Sequence, residues 1–267
     1  SDSERTTVVA VNVASGEEHP LTAQLTYEYA PQFAPKGDEV AYLYTHGPGA
    51  VSDMDLFVTS PQGDTARDVS AGLDRDVVGD FAWLPDGRSV VLMADDHVGS
   101  KLYVQPLHGR AYALDLGTLN PLEMTASSDG ALVVVADSAT QAPELYLLTS
   151  PQSPPVRLTH VNSSFAAYAY PTSVEVQWKA PDGQQSDGIL TYPNGYQPGR
   201  HYPLVVYSHG GPEAASSEDF DLAEIGPLRL LFAARGYLVF EPNYRGSDNL
   251  GNAHLHAIYR DPGNGPD

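Results

Sequence analysis

Along residues 1–160, short apolar runs alternate with polar turns, and one order of runs and turns recurs. Phe33–Tyr42 reads FAPKGDEVAY, Phe81–Leu92 reads FAWLPDGRSVVL and Thr125–Val134 reads TASSDGALVV. Each is a polar turn set between two strand-like runs. Gly37, Gly87 and Gly130 take the same place in these turns, where glycine accepts a positive φ. They lie 50 and 43 residues apart. A second hairpin follows each first one: Asp55–Thr59, Lys101–Gln105 and Glu144–Leu148 each lead through a turn to a polar return strand, such as Val156–Thr159. Four strands per unit at this period predict blades of a β-propeller. Thr6–Val13, with the turn Ser15-Gly16-Glu17-Glu18, fits the outer half of an earlier blade. The expectation is a partial propeller of about 3.5 blades, its missing blades lying before Ser1. A sandwich of short strands would share the turn signals, but not the recurrence of both hairpins.

From about Ser163 the pattern changes. Ser173–Ala180 alternates apolar and polar positions, Pro181-Asp182-Gly183 turns the chain, and Gly188–Tyr192 returns. Asn194-Gly195 and Pro198-Gly199 form a loop. The run Tyr202–Ser208 reads as a buried strand. Leu228–Arg235 is apolar on one side and ends at Gly236, a helix C-cap. Tyr237–Tyr244 is the next strand, and Asp261–Asp267 is loop. Hairpin, strand, loop, helix and strand predict the start of an α/β sheet. Leu204–Tyr207 and Leu238–Phe240 should be parallel neighbours, with the helix as a right-handed crossover. The chain thus divides into blades (residues 1–160) and the first part of an α/β domain (residues 161–267).

Composition narrows the partners. A formal net charge of −20 repels phosphate backbones, which excludes nucleic acid as the default partner. The acidity is scattered, and Lys36, Lys101 and Lys179 are the only lysines. No apolar run is long enough to cross a bilayer. Ser1-Asp2-Ser3-Glu4 carries neither a signal peptide nor an initiator Met, so a processed chain or a fragment is expected. The compartment stays open between bacterial cytoplasm and secretion. The absence of cysteine excludes disulfides, thiolate metal sites and cysteine nucleophiles.

His209-Gly210-Gly211-Pro212 follows directly on the apolar run at Tyr202–Ser208. A glycine pair at a strand end leaves backbone N–H groups open to a ligand. In α/β-hydrolases such a loop supplies one oxyanion-hole donor. YPLVVYSHGGP (Tyr202–Pro212) and ARGYLVFEPNYRGSDNLGN (Ala234–Asn252), behind propeller repeats, resemble the prolyl oligopeptidase family, within it the acylaminoacyl-peptidase and dipeptidyl-peptidase branches. The resemblance spans essentially the whole chain. It implies a serine peptidase acting on short peptides, with a Ser, Asp, His triad downstream of the NYRGS segment. It implies that Gly211 gives its N–H to the oxyanion, that Gly210 and His209 shape the loop, and that Tyr244, Arg245 and Gly246 support the active-site rim. Dipeptidyl-peptidase-like members carry a Tyr where His209 stands, so a hydroxyl-donating role does not transfer. The G-x-S-x-G elbow is missing. Gly183-Gln184-Gln185-Ser186-Asp187-Gly188 places its first glycine one position too far away, and lies in a hairpin. No catalytic triad residue is expected in this chain; the triad belongs beyond Asp267.

His254-Leu255-His256 with Asp261 could chelate zinc, the two imidazoles sharing a face if the segment were a strand. No fourth ligand is evident, so neither metal nor cofactor is expected. Asn162-Ser163-Ser164 is a glycosylation sequon of a kind common by chance. Tyr168–Tyr170 fits packing at a hinge better than ligand stacking. The expected function is therefore part of a serine hydrolase that works through an acyl-enzyme on a peptide substrate. This chain supplies the oxyanion loop and the propeller, a complementary chain supplies the triad, and the isolated chain is inactive. The alternatives are an esterase on the same fold and a non-catalytic propeller that binds peptides or proteins.

Overall fold

The computed structural model describes residues 6–22, 27–45, 52–211, 214–220 and 226–260. β1 (Val9–Val11) and β2 (Glu18–Pro20) form an antiparallel pair. Three four-stranded antiparallel meanders follow. The first holds β3 (Glu28–Phe33), β4 (Val40–Tyr44), β5 (Asp55–Thr59) and β6 (Arg67–Asp68). The second holds β7 (Val77–Trp83), β8 (Ser89–Asp95), β9 (Ser100–Pro106) and β10 (Tyr112–Ala113). The third holds β11 (Asn120–Ala126), β12 (Leu132–Ser138), β13 (Gln141–Leu148) and β14 (Val156–Arg157).

The three glycine turns are equivalent. In each first hairpin the glycine N–H reaches back to the residue that opens the turn: Gly37 to Ala34 at 2.8 Å, Gly87 to Leu84 at 3.0 Å, Gly130 to Ser127 at 3.0 Å. All three glycines have positive φ (+72°, +61° and +90°). The first strand of each meander also carries a β-bulge, between Tyr29 and Gln32, Val78 and Phe81, and Pro121 and Glu123.

Why the second strands are almost wholly apolar follows from how the sheets stack. Strand β8 sends Val90, Leu92 and Ala94 to one side, against Ala41, Leu43 and Leu56 of the first meander. It sends Val91 and Met93 to the other, against Leu132 and Val134 of the third. Alternation by two then buries both faces, and no polar position is left. Each of these Val, Leu and Met side chains contributes about 1.5–3 kcal/mol of burial, and the alanines less. Val8 and Leu21, beside β1 and β2, cover Tyr42 and Phe57 in the same way. Polar links add register between sheets: Gln32 Nε2 donates to the Phe81 carbonyl at 2.8 Å, and Trp83 Nε1 to the Gln32 carbonyl at 3.2 Å. Among the described residues the sheets do not close into a ring.

After a short 3-10 turn (Ser163–Ala167), a mixed sheet forms in the order β15-β16-β18-β17. Its strands are β15 (Ser173–Lys179), β16 (Gln185–Thr191), β17 (Leu204–Val206) and β18 (Leu238–Asn243). The helix α1 (Gly226–Ala234) precedes β18. β17 and β18 are parallel neighbours, Leu204 opposite Leu238 and Val206 opposite Phe240, as the pattern predicts.

Three details differ from the sequence reading. The run at Tyr202–Ser208 yields only a three-residue strand, and it is not buried: Leu204 and Val206 are 53% and 55% exposed. The reason is position, because β17 is the edge of the sheet and nothing among the described residues covers it. The helix likewise leaves Leu228 and Leu231 exposed and buries Arg229 and Ala233. Arg229 turns inward because Glu241 of β18 is buried beneath it, and Nε meets Oε2 at 3.2 Å. Finally, the return strand begins at Gln185, ahead of Gly188, which carries Ser186 and Asp187 into the sheet.

Candidate active site

Parallel strands β17 and β18 end side by side, and the two sequence motifs emerge from those ends. His209 follows β17, and Tyr244, Arg245 and Gly246 follow β18. Their juxtaposition is direct. The His209 and Tyr244 rings stack with centroids 4.5 Å apart and planes inclined by 12°. The Tyr244 hydroxyl donates to the His209 carbonyl at 2.5 Å. His209 is buried; its Nδ1 lies 2.9 Å from the Gly210 carbonyl and its Nε2 2.9 Å from Ser247 Oγ. A carbonyl can only accept, so Nδ1 carries the proton; the single proton of the Ser247 hydroxyl is shared between Nε2 and the Tyr244 carbonyl, 2.7 Å away. Burial holds the imidazole below its ordinary pKa, which keeps it neutral.

These two bonds set the loop. A trans peptide points its C=O and the next N–H in opposite directions. Tying down the His209 carbonyl turns the Gly210 N–H away from Tyr244. Tying down the Gly210 carbonyl turns the Gly211 N–H away from the His209 ring. Neither N–H donates to another group among the described residues, and both glycines are exposed. Gly211 sits at φ +135°, a region that only glycine enters without strain. Pro212 lies outside the described residues.

The rim is anchored from below. Arg245 Nη2 meets Asp182 Oδ2 at 2.7 Å, which fixes the Pro181-Asp182-Gly183 turn against the β18 end; the Gln184 N–H, and then Arg245, hold the Asp182 carboxyl below its usual range. Gly246 has φ +99°, and a Cβ there would stand 2.5 Å from Ile258 Cδ1. Both conformation and space therefore require glycine.

Asn243, the last residue of β18, is fully buried and clamps the segment that follows the glycine loop. Its Oδ1 accepts from Ser216 N at 2.6 Å, and its Nδ2 donates to the Ser216 carbonyl at 3.1 Å. The same segment is tied to the second and third meanders. Glu218 N donates to the Val98 carbonyl at 2.7 Å and Phe220 N to Asp137 Oδ2 at 2.9 Å. Phe220 packs edge-on against Phe165 and Tyr170. Tyr170 thus packs at the join, while Tyr168 is exposed.

Asp187 is the centre of this polar layer. Its Oδ1 accepts from Asn243 Nδ2 at 3.0 Å and from Asn249 Nδ2 at 2.7 Å. Its Oδ2 lies 2.8 Å from Nδ1 of His97, in the turn between β8 and β9. Sequence reasoning missed His97, Asp187, Asn243 and Asn249, which are up to 152 residues apart in hydrogen-bonded pairs. Only the NYRGSDN run, with an Asn near each end, signalled any of them.

The candidate zinc pair separates. The segment is helical, α2 (Asn252–Leu255) running into a 3-10 turn (His256–Ile258). His254 is buried, with Nε2 3.0 Å from the Tyr244 carbonyl, and burial lowers its pKa. His256 Nε2 lies 3.3 Å from Ser52 Oγ. The two imidazoles thus serve different partners, and Asp261 lies outside the described residues. Ser186 is buried near the start of β16 opposite Trp178, far from the geometry of a strand-to-helix elbow.

Comparison with known proteins gives a consistent picture. No family model matches the chain. The dipeptidyl-peptidase 5 of Trichophyton equinum is 25% identical over 248 residues, which cover 89% of this chain and 33% of that protein. An acylaminoacyl peptidase, solved in complex with Z-Gly-Gly-Phe-chloromethyl ketone, superposes with a TM-score of 0.73 at 20% identity, covering 91% of this chain and 36% of that one. The dipeptidyl peptidase 4 of Porphyromonas gingivalis superposes with a TM-score of 0.70 at 17% identity, covering 94% and 36%. The chain spans about a third of the length of the relatives it matches.

Proposed function

We propose that this chain, a member of the prolyl oligopeptidase family, is the part of a serine peptidase that holds the oxyanion loop and the last blades of a propeller. The meanders are read as three blades, with β1 and β2 as half of another. The mixed sheet of residues 173–243 is read as the start of the hydrolase domain. The observation that carries this reading is the aim of the Gly211 N–H. His209 and Tyr244 fix the two peptide planes before it, and the N–H faces outward with no partner among the described residues. A donor held open in this way suits the oxyanion of an acyl-transfer intermediate.

In the intact enzyme a serine from a separate segment attacks the peptide carbonyl. A histidine of that segment takes the serine proton and passes it to the leaving amine. Gly211 helps hold the oxyanion, and Gly210, His209 and Tyr244 keep it in place. Arg245 and Gly246 hold the rim. His209 itself is no general base for substrate here: its Nδ1 faces the Gly210 carbonyl and not an orienting carboxylate, and the Ser247 at its Nε2 is fully buried, out of reach of a substrate carbonyl. The exposed edge of β17, with Leu204 and Val206, and the exposed Leu228 and Leu231 of α1 are the surfaces that the complementary segment would cover. An unpaired apolar sheet edge is otherwise an aggregation hazard. A peptide substrate is favoured over an ester by what the matched proteins are named for.

The test is labelling with a fluorophosphonate probe. The isolated 267-residue chain should not react. Ser247, which meets His209, is fully buried and also donates to the Tyr244 carbonyl, and the His209 ring is turned to the Gly210 carbonyl and not to a carboxylate. Ser52 lies 3.3 Å from His256 in a bend and not at a strand-to-helix elbow. Addition of the complementary segment should give labelling on that segment alone. Stoichiometric labelling of a serine in this chain without a partner would overturn the reading.

A further inference from the structure

We propose that His97, Glu175 and Asp187 form a binding site for a divalent transition cation of the zinc type, which staples the second meander to the mixed sheet. The three side chains come from three elements: the β8–β9 turn, β15 and β16. Nδ1 of His97 lies 2.8 Å from Asp187 Oδ2 and 3.3 Å from Glu175 Oε1, and all three donor atoms lie within 4.8 Å of one another. Ligands about 2.0–2.1 Å from a tetrahedral zinc stand about 3.3 Å apart, so only small side-chain movements admit the ion.

Each donor is presented in a way that a surface ion pair does not need. Asp187 is buried, and its other oxygen is taken by Asn243 and Asn249, which leaves Oδ2 directed at the cluster. Such outer hydrogen bonds orient a ligating carboxylate. His97 is held at φ +59°, an uncommon conformation for a residue with a side chain. Asn249 fixes it there from both sides. The His97 N–H donates to the Asn249 carbonyl at 3.2 Å, and Asn249 Nδ2 donates to the His97 carbonyl at 2.9 Å. Glu175 is exposed and supplies the third donor from an open position.

Charge and access agree. Nδ1 of His97 is the one ring atom that faces both carboxylates, and a dication there would satisfy the two together. His97 stands between a cavity of about 350 Å³, shared with Asp187 and His254, and one of about 520 Å³, shared with Glu175 and Glu218. Both are open, so an ion can enter and a water can complete its shell. An imidazole with two carboxylates suits zinc better than calcium, which prefers all-oxygen sites.

The test uses the full 267-residue chain, stripped with a chelator and titrated with Zn²⁺ against a chelating dye. One Zn²⁺ per chain should bind, excess Ca²⁺ should not displace it, and X-ray absorption should show one imidazole with oxygen donors. Glu175→Gln, at an exposed position that should not disturb folding, should weaken binding at least tenfold, and His97→Ala should weaken it further. His254→Ala and His256→Ala should leave it unchanged. Failure to take up Zn²⁺ at micromolar free metal would overturn the proposal. So would displacement by Ca²⁺, uptake insensitive to Glu175→Gln, or uptake lost in the His254 or His256 variant. This site is independent of the peptidase reading, because its occupancy needs no serine.

Discussion

The imidazole of His209 holds the carbonyl of its own neighbour, Gly210, at 2.9 Å, and so decides where the next N–H points. Removing that hold should cost catalysis more than binding. In the enzyme completed by the triad-bearing segment, His209→Ala should lower kcat roughly tenfold with little change in KM, since a net hydrogen bond is worth about 0.5–1.5 kcal/mol and the loop also loses packing. An unchanged kcat would show that the loop is held by other means.

Tyr244→Phe keeps the stacked ring and deletes only the hydroxyl that meets the His209 carbonyl. A fall in kcat of about 2–10-fold is expected, smaller than for His209→Ala. Steady-state kinetics of the two variants side by side will check the order; a larger loss for Tyr244→Phe would mean that its hydroxyl reaches the substrate.

Gly211→Pro removes the proposed donor outright. Loss of one oxyanion donor costs about 2.7–4 kcal/mol, or roughly 10²–10³ in kcat. The φ of +135° adds backbone strain, because proline is confined near −65°. Measured kcat within tenfold of the parent would remove Gly211 from the oxyanion hole.

Gly246→Ala should destabilise the fold by roughly 1–3 kcal/mol. Its φ is +99°, and the new methyl would meet Ile258 Cδ1 at 2.5 Å. Denaturant unfolding of the isolated chain reads this directly, and a neutral substitution would mean that the Ile258 side chain swings clear.

A group of acids beneath the 3-10 turn Asp248–Leu250 makes stability depend on pH. Burial, then Asp55, Asp74 and Asp248, raise Asp53 to about 7, with Arg75 opposing. Burial, then Asp53, Asp248 and Asp95, raise Asp76 to about 8 against the Met54 N–H. Burial and Asp248 raise Asp95 to about 6 against Ser100. All three lie above the unfolded value of about 3.9, so the folded chain binds the extra protons. Their contribution is complete at low pH and is lost as pH rises through about 6 to 8. His209 and His254, pushed down by burial, act the other way but are already neutral above about pH 7. The melting temperature should therefore fall between about pH 7 and 8.5. Asp53→Asn should flatten that slope and add roughly 1–2 kcal/mol at the alkaline end. A slope unchanged by Asp53→Asn would place the titration elsewhere.

The hairpin glycines were legible because a turn is a local event. Gly37, Gly87 and Gly130 answer to three or four neighbours in sequence, and they fall at equivalent turns. The parallel pair β17 and β18 was legible because an apolar run, a helix and another apolar run fit few topologies. What covers a strand is a different matter. Leu204 and Val206 have the composition of core residues yet lie on a bare edge, and composition cannot tell an edge from a centre. Arg229 was missed for the converse reason. It reads as a solvated position until Glu241, in the next strand, is found buried beneath it.

The sequence by itself determined the repeats, the order of elements and the glycine loop, because local backbone preference and periodic burial act over a few residues. The family resemblance led to the expectation that His209 shapes the loop and that Tyr244 supports the rim. Only the tertiary structure decided that they stack, that the Gly210 carbonyl is fixed by its neighbour's ring, and that His97 reaches Asp187 across 90 residues of chain. Such contacts depend on how sheets pack, and their partners carry no mark in the sequence because a buried hydrogen bond is specified by geometry between elements.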